Sequence, residues 1–181
     1  MKSLVREVII TLVLALGLFF LARATIQTYE VFQTSMLPNF NPGERVVVNK
    51  AVYWFGGDPK RGDVVIFKAP SGVKENWIKR IIGLPGDTVA ITDGVVYVNG
   101  VMLAEPYIKM SFTYSMDKVT VPEGNFFFLG DNRDVSNDSS RGWFMPRANL
   151  LGKAWLISWP PSEWSVAFNY DLNDQVAAAT D

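Results

Sequence analysis

The sequence predicts a mostly-β fold, a compact antiparallel β-sheet domain preceded by one N-terminal transmembrane helix. Three observations predict it: a charge-free apolar run near the N-terminus, short β-branched and aromatic runs parted by turn pairs, and no long helical period after residue 26.

Residues 8–22 (VIITLVLALGLFFLA) are fifteen positions without a charge, flanked by Lys2, Arg6 and Glu7 before and Arg23 after. As a helix this run spans about 22 Å, short of a hydrocarbon core of roughly 30 Å. Ala24, Thr25 and Ile26 extend it, and Arg23 is long enough to snorkel to the headgroups. Lys2 and Arg6 favour an N-terminus left in the cytoplasm. A cleavable secretory signal is the other reading, with Ala22-Arg23-Ala24 as a small-x-small site. Both readings send the remainder across the membrane.

Strands are expected at 45–49, after Asn41-Pro42-Gly43, and at 63–68, after Pro59-Lys60-Arg61-Gly62. A third, 76–82, follows the Ser71-Gly72 loop. Strands 88–92, 95–98 and 101–103 are separated by Asp93-Gly94 and Asn99-Gly100, two strong hairpin signals. Strand 125–129 follows Pro122-Glu123-Gly124, and strand 153–159 stops at Pro160-Pro161. From Asn169 the chain turns polar and then Ala-rich, so 169–181 is expected to be a flexible tail.

Composition narrows the chemistry. Lys plus Arg number 17 and Asp plus Glu 18, and a net charge of −1 gives no electrostatic basis for nucleic-acid binding. There is no Cys, hence no disulfide framework and no thiolate nucleophile. There is no His, hence no imidazole base and no Ser-His-Asp triad. A general base in this chain has to be Lys, Asp, Glu, Tyr or a terminal amine.

Four segments place polar residues where a plain β-domain does not need them. Gln33-Thr34-Ser35-Met36-Leu37-Pro38 puts a Ser on a Pro-bounded turn, which alone reads as an ordinary loop. Arg61-Gly62-Asp63-Val64-Val65 alone is a turn entering a strand. In Trp77-Ile78-Lys79-Arg80-Ile81-Ile82-Gly83-Leu84-Pro85-Gly86-Asp87, alternation sends Lys79 and Arg80 to opposite faces, so one of them is expected on the core side. The bland alternative is an edge-strand lysine that deters aggregation. Gly130-Asp131-Asn132-Arg133-Asp134-Val135-Ser136-Asn137-Asp138-Ser139 reads alone as a solvated loop, and its carboxylates do not follow calcium-loop spacing, so no metal is expected.

Taken together and in this order, the four segments resemble the bacterial type I signal peptidases, over roughly residues 26–160. The resemblance implies a fold of the signal-peptidase type and a retained anchor. The expected division is a cytoplasmic stub and anchor at 1–25, an extracytoplasmic catalytic domain at 26–168 and the tail beyond. About forty residues separate Asp87 from Gly130, which leaves little room for the large extra β-domain of some relatives. The implied activity is a single-pass, plasma-membrane serine endopeptidase without cofactors. Its implied partners are the lipid bilayer and preproteins, cut after small residues at −1 and −3.

By the same resemblance Ser35 is the nucleophile, Lys79 the general base, and Ser136 the residue that orients the lysine. The Ser35 N–H and the Gln33 side chain are the oxyanion donors expected, and Val31 and Ile78 the substrate-pocket walls. The family usually has Arg after Asp138-Ser139, where this chain has Ser140 with Arg141 next. A free lysine has a pKa of about 10.4, so at pH 8 only about one in 250 is neutral. Burial among Trp77, Ile78 and the 126–129 run is expected to disfavour its charged form. The alternatives are a silent relative that binds exported proteins without cutting, and another Ser-Lys self-processing protease.

Overall fold

The computed structural model describes residues 2–69 and 75–177; the expected Ser71-Gly72 loop and residues 178–181 lie outside the described residues. The chain opens with α1 (Lys2–Thr25), 24 residues and so about 36 Å long. Its stretch Ser3–Thr25 is long and apolar enough to cross a membrane. The helix runs past the fifteen-residue apolar run at both ends, and neither Thr11 inside that run nor Thr25 beyond it interrupts the helix. Each hydroxyl donates back to a carbonyl one turn earlier, that of Glu7 and that of Leu21, both at 2.9 Å.

The strands follow in chain order: β1 (Ile26–Glu30), β2 (Arg45–Asn49), β3 (Val64–Lys68), β4 (Asn76–Gly83), β5 (Thr88–Thr92) and β6 (Val95–Val98). After them come β7 (Val101–Met102), β8 (Met116–Thr120), β9 (Asn125–Leu129), β10 (Met145–Pro146), β11 (Leu150–Trp159) and β12 (Ser165–Val166), then the short α2 (Asn173–Ala177). Among the described residues they form two sheets. The larger has the order β1-β2-β11-β3-β4-β9-β10 with β12 beside β11, and the smaller β7-β6-β5-β8. Pairing is antiparallel throughout. The smaller sheet occupies the interval between Asp87 and Gly130 and is closed by the expected hairpins. Asp93 and Asn99 take positive φ of 46° and 53°, each followed by a positive-φ glycine, the pairing that a twisted two-residue turn requires.

Four of the described strands, β1, β8 and the two-residue β10 and β12, were not expected from the sequence, and the two longer ones lack a readable pattern. The β8 sequence MDKVT carries adjacent charges on a largely exposed sheet edge, and β1, IQTYE, is an exposed edge that continues directly from α1.

The tail differs from expectation. Asn169 bridges two strands, accepting from the Val64 N–H at 2.8 Å and donating to the Ala154 carbonyl at 2.8 Å. Leu172 and Val176 are buried in the core between the sheets, with Ile82, Val89 and Phe127. Residues 169–177 are therefore packed, because a few apolar side chains spaced along a polar segment meet a ready-made hydrophobic face.

Candidate active site

Strand β4 brings the chemistry together. Lys79 stands opposite Val65 and Arg80 opposite Val64 on β3. Both side chains are buried, Lys79 at 1% and Arg80 at 0% exposure. Alternation does separate them, but β4 has a core on each face. Trp77 and Ile81 join one cluster with Phe67 and Phe128, while Ile78 and Ile82 pack into two others.

On one face Lys79 Nζ lies 2.5 Å from Ser35 Oγ, forty-four residues away in sequence. Ser35 is itself buried, and the Trp77 ring centroid is 5.5 Å from the amine. Burial lowers the Lys79 pKa to about 8, against the opposing pull of the Asp138 and Asp131 carboxylates. The Ser35 N–H has no hydrogen-bond acceptor among the described residues, while the Ser35 carbonyl accepts from the Asn132 N–H at 2.9 Å.

On the other face Arg80 locks the frame. Its guanidinium makes two hydrogen bonds to Asp131, at 2.9 and 2.8 Å, and donates to the Gly62 and Phe168 carbonyls. It also stacks 3.9 Å from the Tyr107 ring centroid. Asp131 accepts a further hydrogen bond from Asn39 Nδ2 at 2.8 Å. The serine loop is thus tied to the 130–139 loop by three hydrogen bonds, from the Asn132 N–H to the Ser35 carbonyl, from Asn132 Nδ2 to the Thr34 carbonyl and from Asn39 Nδ2 to Asp131. Asn39 and Asn132 carried no role in the sequence reading. Asn132 lies inside a quoted motif, but Asn39 has no local pattern that marks it.

Gly130 is a second residue whose task is invisible in sequence. A Cβ at this position would come within 2.4 Å of both Ser136 Oγ and the Ser35 carbonyl, so only glycine allows these two segments to meet. Ser136 is accordingly beside Ser35 and buried, yet its hydroxyl has no hydrogen-bond partner and so makes none to Lys79 here. Asp138 accepts from the Gly130 N–H at 2.9 Å and from the Ser140 hydroxyl at 2.7 Å. Ser140 thus occupies the carboxylate, and Arg141 turns instead to the Ser136 carbonyl at 3.3 Å.

A groove of ≈ 220 Å³ is lined by residues that neighbour the pair in sequence, Val31, Gln33, Trp77 and Ile78 among others, though by neither Ser35 nor Lys79. Val31 and Ile78 form buried wall, whereas Gln33 is exposed. Strand β9 pairs with β4 from Arg80 onward, which leaves the 76–79 backbone without a strand partner on that side among the described residues.

Comparison with known proteins follows the same lines. Residues 2–159 match the family model for signal peptidase, peptidase S26. Signal peptidase I of Bacillus licheniformis is 38% identical over 88% of this chain and 89% of that protein. Signal peptidase I of Leptolyngbya laminosa is 38% identical over 86% and 78%. Signal peptidase IB of Staphylococcus aureus is 34% identical over 93% and 97%. With the match running through nearly the whole of the described β-domain, the chain belongs to the signal peptidase family, peptidase S26, the endopeptidases that remove signal peptides from preproteins.

Proposed function

We propose that cleavage runs through a dyad, with Ser35 as nucleophile and Lys79 as its general base. The observation that carries this reading is the buried 2.5 Å approach of Lys79 Nζ to Ser35 Oγ. A neutral amine takes the hydroxyl proton as Oγ attacks the scissile carbonyl. The resulting ammonium then protonates the leaving amine, and the same amine activates the water that frees Ser35 from the acyl-enzyme. The unengaged Ser35 N–H is one donor for the oxyanion, and Gln33, on the groove lining, supplies the second. Ser136, buried beside Ser35, is a positioning residue whose hydroxyl orients the amine once substrate closes the site.

The substrate lies extended in the groove and adds a strand along the open 76–79 edge of β4. Val31 and Ile78 close the pocket to all but small side chains at −1 and −3. Helix α1 anchors the chain in the plasma membrane with the β-domain on the extracytoplasmic side, and so confines enzyme and preprotein to one surface. Cleavage of a preprotein in detergent, with N-terminal sequencing of the product, tests the dyad. Ser35→Ala and Lys79→Ala are each expected to lose at least about a thousandfold in kcat while keeping the wild-type circular dichroism spectrum. Activity retained in the Lys79 variant removes the proposed base.

A further inference from the structure

Asp138 is fully buried, at 0% exposure, and no cation lies within ion-pair distance of it among the described residues. The other carboxylates around the site are matched: Asp131 pairs with Arg80, and Glu105 with Arg133. Asp138 is held by hydrogen bonds alone. One oxygen accepts from the Gly130 N–H at 2.9 Å, and the other from the Ser140 N–H at 3.1 Å and the Ser140 hydroxyl at 2.7 Å. Three neutral donors fix the carboxylate without cancelling its charge. Arg141, the nearest cation in sequence, is exposed; it donates to the Ser136 carbonyl and lines a separate recess with Phe67 and Trp143.

A buried charge acts strongly on whatever titrates near it. Gly130, whose N–H Asp138 holds, is packed so closely that a Cβ there would come within 2.4 Å of the Ser35 carbonyl, and Ser35 Oγ is the partner of Lys79 Nζ. Lys79, Ser35, Gly130 and Asp138 therefore form one buried chain of contacts. Two carboxylates favour the Lys79 ammonium, Asp138 more strongly than Asp131. The pairing explains that order, because Arg80 offsets the charge of Asp131 and no cation pairs with Asp138 among the described residues. Val65, opposite Lys79 on β3, brings no charge. The other groups near Asp138 are Tyr114 and Arg133. Burial and then Asp138 push the Tyr114 phenol above its ordinary value, so it stays neutral where Lys79 titrates, and Arg133 is taken up by Glu105.

We propose that Asp138 is the counter-ion of the Lys79 ammonium formed when Ser35 loses its proton, and that Ser140 keeps it available by holding the carboxylate with uncharged donors. This rests on the dyad proposed above. The proton passes from Ser35 Oγ to Lys79 Nζ, so a positive charge appears in a dry site, and an anion already fixed there lowers the cost of forming it. Asp138 acts through Lys79 and is a positioning residue. The same anion also holds the resting ammonium. Its removal therefore slows the reaction and at the same time moves the titration of Lys79 to lower pH.

The test is the pH profile of kcat/KM between pH 6 and 10, for the full chain in detergent on one synthetic signal-peptide substrate. Wild type is expected to show a midpoint at about pH 8. Asp138→Asn is expected to bring the midpoint down by about one pH unit and the plateau down by about three- to tenfold. Asp138→Glu keeps the charge and is expected to keep the wild-type midpoint. Ser140→Arg leaves Asp138 in place and gives it a cation, so its midpoint is expected to fall as in Asp138→Asn; Ser140 is half-buried, which gives the longer side chain a route to solvent. A role in packing alone lowers the plateau and leaves the midpoint where it is. An unchanged midpoint in Asp138→Asn therefore overturns the counter-ion and leaves the dyad standing, and one unchanged only in Ser140→Arg overturns the part given to Ser140. Should Asp138→Asn lose the wild-type circular dichroism spectrum, the midpoint of Ser140→Arg decides instead. A flat wild-type profile removes the base and its counter-ion together.

Discussion

Lys79 shows what burial does to an amine. The ordinary value of 10.5 falls to about 8, because the ammonium is stripped of water beneath Trp77 and Ser35. The folded value lies below the unfolded one, so the fold gains stability as pH rises from about 8 toward 10.5. Below pH 8 it holds a buried cation at a cost on the order of 3 kcal/mol. Under the proposed dyad the rate has the same sign, since the neutral form would be the base. Expected is a kcat/KM that climbs tenfold per pH unit below about pH 7 and levels off above about pH 8.5, measured by peptide cleavage between pH 6 and 10. A flat profile through that range excludes Lys79 as base. At this scale Ser35 and Lys79 were legible, because a chain without His offers few bases and the motifs single out one lysine. Gly130, Asn39 and Asn132 were not. Their tasks are distances between segments some ninety residues apart, and no local pattern encodes them.

At the scale of elements, β4 is the strand on which the site depends. It pairs with β3 along Asn76–Arg80 and with β9 only from Arg80, so one strand supplies a rigid seat for Lys79 and, among the described residues, an edge without a strand partner where the proposed substrate strand would add. The expectation that only one of Lys79 and Arg80 would face a core treated the sheet as single-sided. Here the terminal segment and the smaller sheet cover the second face. That covering has a measurable share in stability. Leu172→Ala removes a side chain that is 2% exposed and is expected to cost about 2–4 kcal/mol in urea unfolding. Val166→Ala, on an exposed edge, is expected to change stability by less than about 0.5 kcal/mol. Equal midpoints for the two variants would mean that the terminal segment is only loosely attached. The packing of Leu172 escaped the sequence reading because DLNDQVA, residues 171–177, has neither the length nor the period of a helix able to form alone.

The whole molecule divides its work between a helix with exposed apolar side chains and a β-domain with, among the described residues, three buried clusters. The join is short: Thr25 ends α1, its carbonyl accepts from the Lys50 N–H at 2.8 Å, and β1 starts at the next residue. A domain held this close to its helix works near whatever surface the helix enters. Removal of residues 2–25 is expected to leave kcat/KM on a short soluble peptide within about threefold. On a preprotein reconstituted in vesicles the same deletion is expected to lose about a hundredfold. Losses of equal size on both substrates would instead assign the helix a role in the fold of the site.

Sequence alone determined the class of this protein: an apolar helix, strands cut by turn pairs, and four motifs, in order, that resemble one family. These properties are local, written in periodicity, in Asp-Gly and Asn-Gly turns and in the two empty columns of the composition. Only the tertiary structure decided that both faces of β4 are dry, that Ser140 rather than a guanidinium holds Asp138, and that Arg141 is left facing a recess. Each of those outcomes depends on segments far apart in the chain meeting within a few ångströms, and such a meeting is set by packing and by buried charge, not by the order of residues along one strand.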